Sequence, residues 1–202
     1  MPQRYRAMFV NSLSGFKSGN LLGTADDQGV ENLSIVSSVF HIGADPALMG
    51  MITRPCTVRR DSVNNIKANG FYTLNHVNTQ IIEAAHQTSA RYDADISEFS
   101  ETGLTPEYLH NFPAPFVQES RVKIGLQLCE VKLLEINQTE LIIGEIQLIQ
   151  SDEAALEADG SLDIETLQTV AVSGLDRYHS TKKVTRLSYA KPDRKPEEIK
   201  FD

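Results

Sequence analysis

The sequence predicts a mainly β protein with α-helical insertions, in which antiparallel strands close into a barrel. About six or seven segments have strand character, against three short helical ones. The segments 121–136 and 141–150 are joined by a turn that is too short for a parallel crossover, so they pair antiparallel. The apolar alternation of the first segment changes parity near Cys129–Glu130, which predicts a β-bulge of the kind that bends barrel strands.

The first strands lead into a basic turn. Residues 19–43 are predicted to form two strands joined at Asp26–Gly29, because Asp, Gln and Gly favour tight turns. Pro46 then interrupts the chain, since proline disfavours helix in the residue before it. Residues 47–53, ALMGMIT, are predicted as the third strand.

A short helix and another strand follow that turn. The stretch RDSVNNIKANG predicts a helix that Asp61 or Ser62 caps at its start and Gly70 ends. Residues 71–77, FYTLNHV, are rich in aromatic and branched side chains and are predicted as a strand.

The remaining segments are less regular. Residues 79–92 begin as a helix, whereas residues 93–120 contain three prolines and are predicted to be irregular. A connecting segment after residue 150 includes a predicted short helix at 163–169. We therefore divide the chain into an N-terminal extension (1–18), a barrel domain (19–182) and a C-terminal strand with a charged tail (183–202).

The composition indicates one globular domain with a real core. The 202 residues are 41% hydrophobic, and a net charge of -8 argues against nucleic acid and anionic membranes as partners. No apolar run reaches the length of a membrane span, and the first residues lack the apolar core of a signal peptide. We expect a soluble, cytoplasmic protein.

Familiar catalytic signatures are missing from the sequence. It contains no G-x-G-x-x-G, no Walker A, no H-E-x-x-H, no C-x-x-C and no G-x-S-x-G motif. His76 and His86 could meet in space, but no histidines have a tight ligand spacing. Cys56 lies near arginines, and we interpret it as a small side chain in a tight turn. We predict neither a metal site nor a catalytic side chain.

The basic stretch after the third strand is compatible with an anion site. Thr53, Arg54 and Thr57 leave the strand just before the helix that starts near Asp61. Phosphate is held by charge-assisted donors and hydroxyls at the end of a rigid element, and a helix N-terminus adds a favourable dipole. The alternative is a solvated turn whose arginines pair with acids elsewhere, and the residues alone favour neither interpretation.

Two further stretches are rich in hydroxyls. Ser37 and Ser38 lie in NLSIVSSVFHIG, which is either an edge strand with a wet face or a surface that hydrogen-bonds a planar polar ligand. Thr88 and Ser89 follow the predicted helix in HQTSARY, where such residues commonly end a helix by bonding to the backbone.

These stretches, in this order, resemble the flavin reductase-like family. The resemblance covers roughly residues 19–180 and rests on ENLSIVSS, DPALMGMITR, RRDSVNNIKANGFYTLNHV, AAHQTSARYDADISEF, TGLTP and LIIGEIQLIQ. Two departures stand out. Arg60-Asp61-Ser62 replaces the family's frequent Lys-Asp-Thr, and SGLDRYHS replaces its Arg-x-Gly-Gly before the C-terminal Tyr. The second departure bears on the nicotinamide or substrate side more than on the flavin.

The resemblance implies an FMN-binding split β-barrel and a homodimer with two FMN sites near the subunit interface. The implied cofactor-binding residues are Ser37, Ser38, Thr53, Arg54, Thr57, Ser62, Asn75, Thr88 and Ser89. The segments around Ser37–Ser38 would lie by the ring, and the Thr53–Thr57 region with its following helix by the phosphate.

The function that follows is an FMN-binding flavoprotein acting as an NAD(P)H-dependent flavin reductase. Hydride would pass from NADH or NADPH to flavin N5, which requires no side-chain base. Electrons would then reach a partner oxygenase or another acceptor. The alternative is an FMN carrier or electron-transfer protein without its own NAD(P)H reductase activity. Two weaker alternatives are a pyridoxamine phosphate oxidase-like activity and a barrel that has lost its ligand.

Overall fold

The computed structural model describes residues 1–55, 60–93 and 96–199. Within these ranges the helices are α1 (Gln3–Ser12), α2 (Asp61–Asn69), α3 (Ile82–Gln87) and α4 (Glu98–Thr102), with a 3-10 turn at Glu153–Ala155. The strands are β1 (Phe16–Ser18), β2 (Asn20–Ala25), β3 (Glu31–Val36), β4 (Val39–Ala44), β5 (Ala47–Thr53), β6 (Phe71–His76), β7 (Pro106–Glu107), β8 (Phe116–Val117), β9 (Val122–Leu134), β10 (Thr139–Ser151), β11 (Ala171–Ser173) and β12 (Arg177–His179).

The main sheet has seven strands in the order β3-β2-β6-β9-β10-β5-β4, and every neighbouring pair is antiparallel. A second sheet has the order β1-β11-β12, and β7 pairs with β8. The predicted mainly β fold with helical insertions is therefore confirmed. None of the described helices is long and apolar enough to cross a membrane.

The long ribbon of β9 and β10 carries the predicted bulge. Ile143 lies opposite Glu130, and the next residue, Gly144, lies opposite Leu128, so Cys129 is the extra residue. Leu128 and Val131 both pack against the same core despite their odd spacing. The parity change in the sequence thus marks the β-bulge that was predicted near Cys129–Glu130.

One apolar core fills the barrel, and a second packs on the outside of β2 and β3. Leu22, Leu74 and Leu126 face the interior from adjacent strands, and α2 closes it with Val63 and Ile66. The second core contains residues from the opposite faces of β2, β3 and the segments around α3 and α4, namely Leu21, Leu33, Val77, Ile81, Ala85, Phe99, Leu104, Val117 and Val170. The alternation of strand faces produces both cores from the same strands.

Several local predictions are wrong. The segment 19–43 forms three strands, because the chain leaves β3 and enters β4 at Ser37–Ser38. Residues 163–169 are turns in which Asp163 accepts the backbone N–H groups of Glu165 and Thr166 instead of starting a helix. An acceptor side chain that captures nearby N–H groups stabilises a turn as readily as a helix start.

Other boundaries also differ. The helix predicted within 79–92 is limited to α3, and the segment 93–120 contains α4 and the short pair β7–β8. The described part of 183–202 holds isolated bridges, such as Leu187 with Glu198, rather than a named strand. β1, which lies in the predicted N-terminal extension, pairs with β11.

Candidate functional site

The exit of β5 lies beside the junction between β3 and β4. Val39 pairs with Met51, and the Ile52 N–H donates to the Ser38 carbonyl at 3.2 Å. Thr53 pairs with Glu140 of β10, and its hydroxyl donates to the Glu140 carbonyl at 3.4 Å. The backbone therefore brings Ser37–Ser38 next to Thr53–Arg54, two stretches that lie fifteen residues apart in sequence. We call this place the β5 corner.

The side chains of the β5 corner leave polar groups available. Ser38 and Arg54 are exposed, Ser37 is half-buried and Thr53 is buried. Asn20 lies nearby, opposite Val36 at the end of β3, and is 1% exposed. Its amide nitrogen donates to Ser18 Oγ at 3.0 Å, but its buried oxygen has no hydrogen-bond partner among the described residues. A buried acceptor without a donor is costly, and a bound water or ligand can supply the missing donor.

Sequence reasoning did not select Asn20. Its position at the first residue of a strand makes an amide unremarkable in the sequence. Only the structure reveals that the side chain is buried and that its oxygen has no hydrogen-bond partner among the described residues.

Helix α2 begins close to β3. The Ser62 hydroxyl donates to Asn32 Oδ1 and also lies 3.0 Å from Ser34 Oγ. The N-cap residue is Arg60, and no cap side chain bonds to the helix start, so the predicted capping by Asp61 or Ser62 is wrong. Ser62 instead bonds to β3 because its buried hydroxyl finds acceptors there. Gly70 ends the helix with a φ of 74°, as predicted.

An ion pair joins the other end of α2 to the β5 corner. Lys67 Nζ lies 2.6 Å from Glu140 Oε1, and Glu140 is the residue that pairs with Thr53. The helix is therefore fixed both to β3 and to β10. This rigidity orients the backbone N–H groups that every helix leaves free in its first turn.

An acidic cavity of about 230 Å³ lies on one side of the α2 start. Its carboxylates are Asp26, Asp27, Glu31, Asp61, Asp93 and Glu98. Burial raises the pKa of Glu98, whose carboxylate also accepts the Leu33 N–H at 2.9 Å. A phosphate dianion would be repelled from this cavity.

Asn75 is fully buried and has all of its hydrogen bonds within the protein. Its amide nitrogen donates to the Leu21 carbonyl at 3.1 Å and to Thr73 Oγ1 at 2.9 Å, and its oxygen accepts the Val117 N–H at 3.1 Å. It therefore joins β2, β6 and β8. Its predicted contact with a cofactor stays a prediction.

Thr88 and Ser89 end α3. The Thr88 hydroxyl donates to the Ala85 carbonyl at 2.8 Å, and the Ser89 hydroxyl donates to the His86 carbonyl at 2.7 Å. Thr88 is buried and Ser89 is exposed. These bonds match the alternative in which both residues end the helix. Thr57, with Cys56, lies outside the described residues.

No group of acidic, histidine or cysteine side chains in the described ranges could hold a metal ion. Burial lowers the pKa of His76 to about 4, and its Nδ1 lies 3.4 Å from Thr169 Oγ1. His86 instead bonds to the Tyr178 hydroxyl at 2.9 Å.

The family model for the flavin reductase like domain matches residues 13–167 of this chain. The chain belongs to this family, which was expected from the order of its motifs. Membership supports a flavin-related function and a flavin cofactor.

Solved structures agree with this assignment. The chain is similar to a candidate flavin reductase with a split barrel domain from Shewanella frigidimarina NCIMB 400, with 57% identity, 94% of each chain covered and a TM-score of 0.91. Nitrilotriacetate monooxygenase component B from Bacillus cereus shares 18% identity over 93% of this chain and 95% of its own, with a TM-score of 0.82. Flavoredoxin of Desulfovibrio vulgaris (Miyazaki F) shares 22% identity over 88% and 91%, with a TM-score of 0.73. The fold is a split β-barrel.

Proposed function

We propose that this chain binds FMN at the β5 corner and acts as an NAD(P)H-dependent flavin reductase. The observation that carries the proposal is the backbone pairing that places Ser37–Ser38 beside Thr53–Arg54. A flavin mononucleotide needs hydrogen-bonding groups for its ring and cationic donors for its phosphate, and this corner combines both within one rigid sheet.

The residues present fit that ligand. Arg54 is exposed and forms no ion pair with a described residue, so its guanidinium is available for a phosphate. Asn20, which pairs with Val36, has a buried oxygen without a partner among the described residues, and the N–H of a planar ring could bond to it.

When bound, FMN supplies the capacity to accept electrons from a nicotinamide and to pass them on. The protein's own groups would orient the ring and exclude water. Ser37 and Ser38 would hydrogen-bond the ring edge, while the half-buried Val36 and Val39 would pack beside it. Backbone N–H groups near the ring would stabilise negative charge on it, while Arg54 would hold the phosphate. No side-chain base is needed for this role.

The electron donor and acceptor belong to the same proposal. NADH or NADPH would serve as donor, and a partner oxygenase or another acceptor would take the electrons. The likeness to component B of nitrilotriacetate monooxygenase supports an oxygenase partner. The chain would act as a homodimer with two FMN sites near the subunit interface.

The experiment titrates purified protein into FMN and follows the quenching of flavin fluorescence. NADH and NADPH oxidation is then measured with and without FMN in the presence of oxygen. We expect quenching, and oxidation of at least one nicotinamide that depends on FMN. A protein that leaves FMN fluorescence unchanged would contradict cofactor binding.

A second candidate is an FMN carrier or electron-transfer protein. The likeness to a flavoredoxin favours it, as does the departure of SGLDRYHS from the family pattern. The same experiment separates the two, because the carrier would quench FMN fluorescence and oxidise neither nicotinamide.

A further inference from the structure

A second cavity, distinct from the acidic one, opens where β9 begins and β10 ends. It has a volume of about 360 Å³, and we call it the ribbon-end cavity. Its lining residues are Gln118, Ser120, Arg121, Lys123, Gln150, Ser151, Asp152, Thr166 and Leu167. Leu167 is the only apolar side chain among them, so the cavity offers hydrogen bonds rather than an apolar contact surface.

The charge balance of the ribbon-end cavity favours an anion, although the whole chain is acidic. Arg121 is half-buried and forms no ion pair or hydrogen bond with a described residue. Asp152 is the only acid in the lining, and its Oδ1 already accepts the Ala154 N–H at 3.0 Å. A half-buried guanidinium without an anion is unfavourable, so Arg121 is poised to bind one.

Lys123 adds a second cation. It is 5% exposed and forms an ion pair with Glu107, which lies outside the lining. An ammonium group has three N–H donors, and this pair occupies one of them. Lys123 therefore strengthens the positive potential at the cavity even while it is paired.

Ser120 supplies an independent observation. It is 4% exposed, and its hydroxyl has no hydrogen-bond partner among the described residues. Buried hydroxyls in folded proteins nearly always have a partner. A rotation about its χ1 would let the hydroxyl donate to a ligand held by the neighbouring Arg121.

The lining also restricts the class of ligand. It contains no aromatic side chain on which a nicotinamide or flavin ring could stack. The two amides and three hydroxyls around the cations match the several oxygens of a small oxyanion. The volume suits a molecule much smaller than a dinucleotide.

The ribbon-end cavity is remote from the β5 corner. The corner is next to Glu140 at the start of β10, whereas the cavity is next to Ser151 at its end. Eleven residues of strand separate the two, which is roughly 36 Å of strand path. An anion in the cavity would therefore not be the phosphate held by Arg54.

We propose that the ribbon-end cavity binds a small oxyanion, a carboxylate or a phosphate, between Arg121, Ser120 and Lys123. This site is independent of flavin binding. It would give the chain a second ligand besides its cofactor.

Isothermal titration calorimetry of the full chain tests the proposal. The probes are inorganic phosphate and, separately, malonate, in a buffer free of both and at constant ionic strength. All titrations use an Arg54→Gln background, so that phosphate binding at the β5 corner does not contribute. Arg121→Gln and Ser120→Ala are compared with Lys132→Gln, which removes an exposed cation elsewhere on β9.

We expect one probe to bind the background protein, with affinity about tenfold or more lower in Arg121→Gln and also lower in Ser120→Ala. Lys132→Gln should bind like the background. The better probe then identifies the ligand group as carboxylate or phosphate. Absence of binding by both probes, or equal losses in Arg121→Gln and Lys132→Gln, would overturn the proposal. Thermal unfolding of each variant establishes that it is folded.

Discussion

Single residues at the barrel show how differently two polar side chains can act. Arg54 is exposed at the end of β5, whereas Asn75 is fully buried and satisfied by three partners. Both are predicted cofactor residues from the sequence, because both lie in motifs shared with the family. The two side chains differ in burial. We therefore expect substitution of Arg54 to change FMN affinity and substitution of Asn75 to change the free energy of unfolding.

Arg54→Ala should weaken FMN binding by about 1–3 kcal/mol, since it removes a charge-assisted contact to the phosphate. Fluorescence quenching measures the affinity. The stability should be unchanged because the side chain is exposed. Arg194→Ala, at an exposed position in the tail, is the matched control. Equal affinity of Arg54→Ala and wild type would remove Arg54 from the site.

Asn75→Ala should lower the free energy of unfolding by about 2–4 kcal/mol. The substitution removes the acceptor of the buried Val117 N–H and both bonds that the Asn75 amide donates, to the Leu21 carbonyl and Thr73 Oγ1. Urea unfolding measures the loss. A change in FMN affinity without a loss of stability would show that Asn75 contacts the ligand and that its bonds within the protein contribute little to the free energy of unfolding.

His76 should make stability depend on pH. Burial lowers its pKa from the usual 6.5 to about 4, so the unfolded chain takes up the proton first as the pH falls. Its contribution is therefore fully present above pH 6.5 and is lost progressively between pH 6.5 and pH 4. We expect wild type to lose about 2 kcal/mol more than His76→Gln between pH 7 and pH 5. Parallel pH curves for the two proteins would contradict this.

At the scale of elements, close contacts between strands and loops limit which residues fit. Gly23 of β2 lies under the segment before β8, where a Cβ would meet the Pro115 carbonyl oxygen and lie 2.6 Å from Thr73 Oγ1. The Thr73 hydroxyl donates to that same carbonyl at 2.6 Å. A glycine inside a strand is thus required by a crossing loop.

Gly23→Ala should therefore cost about 1–3 kcal/mol in the free energy of unfolding, because backbone has to move to make room. Gly43→Ala is the control. Gly43 is also a strand glycine, and its added Cβ would lie 3.5 Å from the nearest atom, the Pro46 carbonyl oxygen. Thermal or urea unfolding measures the stability of both variants. Equal stabilities would show that the loop over β2 moves to accommodate the added methyl group at little cost.

Elements with strong periodicity could be predicted from the sequence, and those set by tertiary contacts could not. The β9–β10 ribbon and its bulge follow from alternation of apolar residues, and α2 ends at Gly70 because only that residue adopts the left-handed conformation easily. The break at Ser37–Ser38 was not predicted, although Val36 and Val39 pack against the same core with a spacing of three residues. The position of the break is set by the pairing of β3 with β2 and of β4 with β5.

In the candidate site, too, some features could be predicted from the sequence and others depend on tertiary contacts. The hydroxyls and the arginine of the β5 corner could be selected from composition and from family resemblance. Their proximity depends on a register between β4 and β5 that no local pattern specifies. The Asn20 oxygen lacks a hydrogen-bond partner among the described residues because of how the side chain is packed, and no sequence pattern could predict this.

For the whole molecule, the exposed apolar side chains of α1 bear on oligomeric state. Tyr5, Phe9 and Leu13 lie at helical spacing on one face and are 62%, 48% and 67% exposed, and no residue of this helix is buried. An apolar stripe without a core contact is typical of an interface. The proposed homodimer would give it a partner surface.

Light scattering coupled to size exclusion should therefore give twice the chain mass of 22.4 kDa. Phe9→Asp should shift the protein toward the monomer, because a carboxylate at a buried interface is costly. Val184→Asp, at a position that is 91% exposed in the tail, should leave the mass unchanged. A monomeric wild type would contradict the homodimer.

The bulge at Cys129 also determines where this chain can gain or lose a residue. Removing Cys129 would leave Leu128 and Val131 on the interior side of an uninterrupted strand. Removing a residue farther along would instead turn every later side chain of β9 to the opposite face. Relatives that differ in length within this ribbon should therefore carry their alignment gap at Cys129, with a straighter ribbon in the shorter chain.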